Sequence, residues 1–289
     1  MANGDHGGKV CLLTGATTGI GRAAAEGLAR TGLTLVLAGR DAARTEAAVE
    51  GVRRASGNDR VEGLVADLSL GSEVRRLAAE FRARHRRLDV LVNNAGAIFT
   101  RREETAEGRE KTLALNHLAY FLLTRELLDL LLATAPARVV NVASEAHRGT
   151  RLDFDDLDSR RRYSGLGVYG RSKLMNLLFT AELARRLEGK AVTANALHPG
   201  VVATGFGGNT PGLFRTLVRI AQPFMLSPEK GARTLVYLAT SPEVEGVSGK
   251  YFYRCREMRP SPAARDPESA RRLWELSEQL VSASRTRAA

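Results

Sequence analysis

The stretch "LLTGATTGIGR", residues 12–22, closes an apolar run that begins at Val10 and opens a segment with helical spacing. Its glycines, Gly15, Gly19 and Gly21, permit a tight turn and let the backbone approach a ligand closely. A helix starting directly behind such a turn presents free N–H groups and the positive end of its dipole, where a pyrophosphate binds well. A glycine-rich turn alone is a weak signal. Set between a first strand and a first helix, it falls where dinucleotide folds hold their cofactor. On this reading Thr17, Thr18, Ile20 and Arg22 share the turn with the glycines.

Outward from the turn, short apolar runs alternate with helical patterns. Val10–Leu13, Thr34–Ala38, Val61–Ala66, Val90–Val92, Val139–Val142 and Val192–Leu197 read as strands covered on both faces. Gly21–Thr31, Asp41–Ala55, Gly71–His85, Ala106–Leu132 and Val168–Leu187 read as helices, and "GKYFY" (249–253) as a last strand. This order implies an α/β fold: a Rossmann-type, doubly wound parallel sheet of about seven strands with helices on both faces. No shift in composition marks a second domain, so residues 1–289 are expected to form one. Within it, 1–8 are a flexible start, 201–226 a substrate-loop region and 254–289 a C-terminal extension. The extension carries a helix over Asp266–Ser282, capped by Asp266, with Pro267 at its first position and an apolar stripe of Leu273, Leu276, Leu280 and Val281.

The strand ends gather at the carboxyl edge of the sheet, where open α/β folds bind ligands. About twenty residues past the turn, such a fold places either an acid for the ribose 2′-hydroxyl of NAD or an Arg for the 2′-phosphate of NADP. Here Arg40 ends the second strand, and Asp41 is placed to cap the next helix. Arg40, with Arg22 as a second cation, suits a phosphate dianion, which favours NADP(H) over NAD(H). "VADLS" (65–69) offers Asp67 for the adenine and Leu68 as a further cofactor contact, and "VNNAG" (92–96) offers Asn93, Ala95 and Gly96.

The chain of 289 residues carries a net charge of +11 from 43 basic side chains, 37 of them Arg and 6 Lys. The arginines are scattered through helices rather than collected in one block, so a nucleic-acid footprint is not expected. Cys11 and Cys255 suggest neither a disulfide scaffold nor a zinc site, and Cys11 reads as a small core residue. The start "MANGDHGGKV" has no apolar h-region, and the most apolar long stretch, Leu113–Leu132, is broken by Arg125, Glu126 and Asp129. A cytoplasmic protein without a transmembrane segment is the expectation.

In "VYGRSKLMN" (168–176), Tyr169 and Lys173 stand at i and i+4, on one helix face. A phenol with its ordinary pKa of about 10 is a poor acid near neutrality. A cation within reach stabilises its anion and lowers that value. The phenol can then give a proton to a developing alkoxide, or remove one in reverse.

"TGATTGIG" (14–21), "NNAG" (93–96), Asn116 in a long helix, Ser144 after the fifth strand, "YGRSK" (169–173) and "HPGVVAT" (198–204) together resemble the short-chain dehydrogenase/reductase family over nearly the whole chain. "ASEAHR" (143–148) and "SPAARDPESARRLWELS" (261–277) resemble its retinol dehydrogenase-like branch, although no apolar N-terminal anchor is seen. The resemblance implies that Ser144 hydrogen-bonds the substrate oxygen, Tyr169 is the acid and Lys173 also grips the nicotinamide ribose. Asn116 would hold a water that passes protons to Lys173. Pro199, Gly200, Val202 and Thr204 would contact the cofactor. A homodimer or homotetramer is a further expectation.

The expected activity is hydride transfer between NADP(H) and a carbonyl/alcohol pair on a bulky hydrophobic small molecule. Phe206, Phe214, Leu217 and Phe224 supply apolar surface in the segment after "HPG", which reads as a lid, while Glu145–Leu166 is long and polar. Retinal-like aldehydes and polyketide or other secondary-metabolite ketones, an anthracycline side-chain ketone among them, fit this reading. The alternative is a non-catalytic dinucleotide-sensing protein. His147 and His198 lack metal-ligand spacing, and Ser144 lacks the G-x-S-x-G elbow of a hydrolase.

Overall fold

Aliphatic runs buried on both sides build the centre of the molecule. In the computed structural model, which describes residues 6–200 and 226–286, β1 (Val10–Thr14), β2 (Thr34–Gly39), β3 (Val61–Val65), β4 (Val90–Asn93), β5 (Ala137–Val142), β6 (Val192–Leu197) and β7 (Tyr251–Tyr253) pair in parallel. The sheet order is β3-β2-β1-β4-β5-β6-β7-β8, and β8 (Arg256–Met258) runs antiparallel to β7. The chain therefore leaves β1 in one direction and returns to its other side at β4. That reversal opens a crevice beyond the carboxyl ends of both strands. The eighth strand exceeds the expected seven. It spans three residues after a turn at Arg254 and Cys255, too short for its alternation to stand out in the sequence.

Helices cover both faces. Against one lie α1 (Gly19–Ala29) and α2 (Ala42–Ser56), with Leu28, Val49 and Val52 packing on Cys11, Leu13 and Leu35. Against the other lie α3 (Gly71–Arg84), α5 (Ala119–Thr134) and α6 (Gly165–Arg186), with Phe81, Phe121 and Phe179 in the core. Cys11 is fully buried, as its apolar surroundings suggest, and desolvation pushes its thiol far up.

The helix expected over Ala106–Leu132 starts later and is not uniform. Buried Glu110 ends the loop and accepts hydrogen bonds from the N–H groups of Thr112 (2.8 Å) and Leu113 (2.7 Å). It thereby caps a short α4 (Lys111–Leu113) that runs through a π-turn (Ala114–Leu118) into α5. Such π-turns insert one extra residue and recur at functional sites.

Helix α7 (Pro228–Thr240), which the sequence reading leaves out, packs beside α1. Its start signals are present: Ser227 caps it and Pro228 occupies its first turn. The C-terminal helix α8 (Pro267–Thr286) begins as expected, with Asp266 accepting from Ser269 N–H at 3.1 Å. Val202 and Thr204, together with the apolar residues Phe206, Phe214, Leu217 and Phe224, lie outside the described residues.

Candidate functional site

The glycine turn is shaped by the strand ends around it. Gly15 has φ +70°, and a Cβ there would lie 2.7 Å from Ala95 Cα; one on Gly21 would collide with Gly15 O. Both positions therefore exclude any side chain. Gly15 N–H donates to Ala38 O (2.9 Å), which draws the end of β2 alongside the turn. Asn94 Nδ2 donates to Thr14 O (2.8 Å) and Gly15 O (3.0 Å), and Thr14 Oγ1 accepts from the N–H groups of Asn94 and Ala95. Thr18 begins α1 without a side-chain capping bond, and no acid stands in the first turn. The free N–H groups and positive dipole end thus face the crevice at a backbone without side-chain cover. These features fit a dinucleotide pyrophosphate.

The other expected cofactor residues divide. Arg40 is exposed at the end of β2 and forms no ion pair among the described residues, while Asp41 accepts from Arg44 N–H (2.8 Å) and caps α2. Asp67 lies two residues past β3 and accepts from Ser69 N–H (3.0 Å) and Ser69 Oγ (2.7 Å); Leu68 beside it is buried. Arg22 instead bonds Glu26 (2.9 Å) and rests against Gly51 of α2. Asn93 points into the core, donating to Thr124 (3.1 Å) and Asn141 (2.9 Å). Its neighbour Asn94, which the sequence reading did not single out, makes the contacts to the turn.

Ser144, Tyr169, Lys173 and Asn116 converge from β5, α6 and the π-turn. The Ser144 side chain stands close enough to the Tyr169 phenol to act on its ionisation, favouring the anion. Lys173 Nζ, buried, donates to Val142 O at 2.9 Å and lies 5.5 Å from the Tyr169 ring centroid. Asn116 is fully buried: its Oδ1 accepts from Ala97 N–H (2.9 Å), and its Nδ2 donates to Ala97 O (2.9 Å) and Ser172 Oγ (3.1 Å). A Cβ on Gly96 would stand 3.2 Å from Asn116 Oδ1 and 3.6 Å from Lys173 Nζ, so a side chain there would crowd both.

Electrostatics at the pair differ from the simple expectation of a phenol acidified by its lysine. Desolvation pushes the Tyr169 phenol up to about 12, with Ser144 acting against it. Desolvation alone brings the Lys173 amine down to about 7. Both groups are starved of water, and the ammonium faces the Tyr169 ring while bonding a backbone carbonyl. At neutral pH the phenol keeps its proton, and the amine is close to half charged.

Two histidines that the sequence reading set aside as metal ligands hold the surrounding loops. His147 Nδ1 donates to Ser144 O (2.7 Å) and its Nε2 accepts from Ser261 N–H (3.1 Å), tying the serine's loop to the C-terminal extension. His198 Nδ1 accepts from Gly200 N–H (3.0 Å), and its Nε2 lies 3.5 Å from Glu145 Oε2. Tyr251 Oη donates to the same oxygen (3.2 Å), so one carboxylate links the turn at Pro199 and Gly200 to the residue beside Ser144. No sequence spacing signals these links, because they join four separate segments.

A family model described as short chain dehydrogenase matches residues 9–211. Retinol dehydrogenase 14 of Mus musculus is 44% identical over 297 residues, covering 97% of this chain and 89% of that protein. A solved structure of a protein from Mycobacterium paratuberculosis superposes with a TM-score of 0.77 at 32% identity, covering 96% of this chain and 95% of the other. A second, from Beutenbergia cavernae and solved with bound NADP, has a TM-score of 0.68 at 28% identity, covering 86% of this chain and 96% of the other.

Proposed function

The chain belongs to the short-chain dehydrogenase/reductase family, and on that premise we propose that it transfers hydride between NADP(H) and a carbonyl/alcohol pair on a bulky hydrophobic substrate. The observation that carries this reading is the buried Lys173 amine 5.5 Å from the Tyr169 ring, with Ser144 acting on the same phenol. A bound nicotinamide supplies hydride, which no side chain can do.

On this reading each side chain has a role. Ser144 Oγ donates to the substrate oxygen and shares its growing negative charge. Tyr169, protonated at rest, gives its proton to that oxygen as the alkoxide forms; the oxidative direction runs the same transfer backwards. The charge left on the tyrosine oxygen favours the ammonium form of Lys173. Gly15 and Gly21 shape the pyrophosphate cradle. Arg40 is assigned to the 2′-phosphate, Asp67 to the adenine, and Lys173 to the ribose as well. Asn116, bonded to Ala97 at both ends of its amide, holds the π-turn against the strand-end loop beside Lys173. The substrate class rests on the apolar residues between 201 and 226 and on the similarity to proteins named retinol dehydrogenases. Retinal and aromatic polyketide ketones are therefore the first compounds to screen.

Tyr169→Phe tests the assignment. NADPH oxidation against the best carbonyl of that screen is expected to fall by about 10²–10⁴-fold, while NADPH binding, read by its fluorescence, persists. Turnover at the level of the unaltered protein removes Tyr169 as the acid.

A further inference from the structure

Lys173 is a buried amine with no carboxylate partner. No ion pair reaches it among the described residues, and its Nζ donates a hydrogen bond to Val142 O on β5. What faces it instead is aromatic: the Tyr169 ring from its own helix, at 5.5 Å, and the Tyr120 ring from α5, at 5.7 Å from Nζ to centroid. Gly96 of the strand-end loop and the neutral amide of Asn116 lie close by, and the neutral amide of Asn176 shares Val142 O with the amine. Tyr120 stands one helical turn beyond Asn116 and is 1% exposed. Its hydroxyl is buried and bonds no group among the described residues, so the face of its ring is what it offers the amine.

We propose that Tyr120 is a positioning residue for Lys173, its ring face holding the ammonium in the charged form where other proteins would set a carboxylate. The proposal rests on Lys173 serving Tyr169 as described above. The negative face of an aromatic ring attracts a cation within about 6 Å, and more strongly where both are desolvated. Tyr169 changes its own charge during the reaction, so its pull on the amine is not constant. Tyr120 does not react and remains in place. Burial brings Lys173 down to about 7, so a modest attraction near that value decides how much of the amine is charged in the working range.

The test reads the amine directly, in the protein alone. The protein carries six lysines, and ε-¹³C-labelled lysine gives a resonance for each, that of Lys173 being assigned by its loss in Lys173→Arg. Tyr120→Leu and Tyr120→Met are expected to lower the Lys173 titration midpoint by about one pH unit. Tyr120→Phe, which keeps the ring and removes the hydroxyl, is expected to titrate with the unaltered protein and to keep its pH–rate profile. Unmoved midpoints in the Leu and Met variants overturn the proposal. So does an upward shift, which marks water entering a cavity, or a Phe variant that moves as far as Leu. Because the readout needs no turnover, failure here leaves the proposed activity standing, and an inactive protein leaves this result intact.

Discussion

Arg40 and Asp41 divide the end of β2 between them. The carboxylate is committed to capping α2, and the guanidinium stands exposed without an ion pair among the described residues. Arg40→Asp is expected to weaken NADPH use relative to NADH by about 10–100-fold, the worth of one or two charge-assisted hydrogen bonds. Steady-state kinetics with both cofactors measure it, and an unchanged preference removes Arg40 from the phosphate. Lys173 has a second signature in stability. Its amine titrates at about 7 in the folded chain and near the ordinary value of about 10.4 when unfolded. Between those values the unfolded chain holds a proton that the folded one has released, so this group makes stability rise with pH across the interval. Above pH 10 or so, Tyr169 acts in the opposite sense, because its folded value of about 12 exceeds the unfolded one. Lys173→Met is expected to abolish turnover yet unfold at higher urea than the unaltered protein near pH ~7, with the gap narrowing toward pH ~9. Val142 O keeps a donor in that variant, from Asn176 Nδ2 at 3.3 Å. A gap that does not change with pH refutes the assignment of the slope to Lys173.

Among the elements, α8 is the one whose docking most resembles a core repair. Trp274 packs edge-on against Phe121 (4.9 Å between centroids), stacks on Phe179 (5.8 Å) and lies beneath the Arg186 guanidinium (4.3 Å). Its indole N–H donates to Glu278 (3.0 Å). Trp274→Ala is expected to cost about 3 kcal/mol, the lower end for truncating a buried aromatic, because the ring sits at the rim of the core. Urea unfolding measures it, and a loss below about 1 kcal/mol contradicts the docking described. This helix was legible in the sequence through Asp266, Pro267 and the stripe of Leu273 and Val281, all local signals. The start of the Asn116 helix was not. Glu110 caps it from inside a buried loop, and the π-turn has no periodicity of its own, so the apolar pattern read as one continuous helix from Ala106.

Across the whole molecule, the readable features were those set by neighbours in the chain. The alternation of apolar runs and helices predicts the parallel sheet, and the spacing of Gly15, Gly19 and Gly21 after β1 predicts the crevice. The i, i+4 pair of Tyr169 and Lys173 predicts one shared face. The unread features depend on segments that meet only after folding. His147 reaches Ser261 across 114 positions, and Asn94, rather than Asn93, holds the turn through contacts 79 and 80 residues away. The phenol's pKa was misjudged for the same reason, since desolvation is a property of the assembled interior and not of two residues in a row.

The bond from Ser261 to His147 also imposes an order on biosynthesis. The glycine turn and the strand ends β1–β4, which the proposed function gives to the pyrophosphate and adenine, lie within the first hundred residues and can assemble while translation continues. The ring that steadies the Ser144 carbonyl lacks its second anchor until residue 261 has left the ribosome. A nascent chain can therefore acquire its nucleotide platform well before its reaction centre is braced, which places the maturation of chemistry among the last events of synthesis.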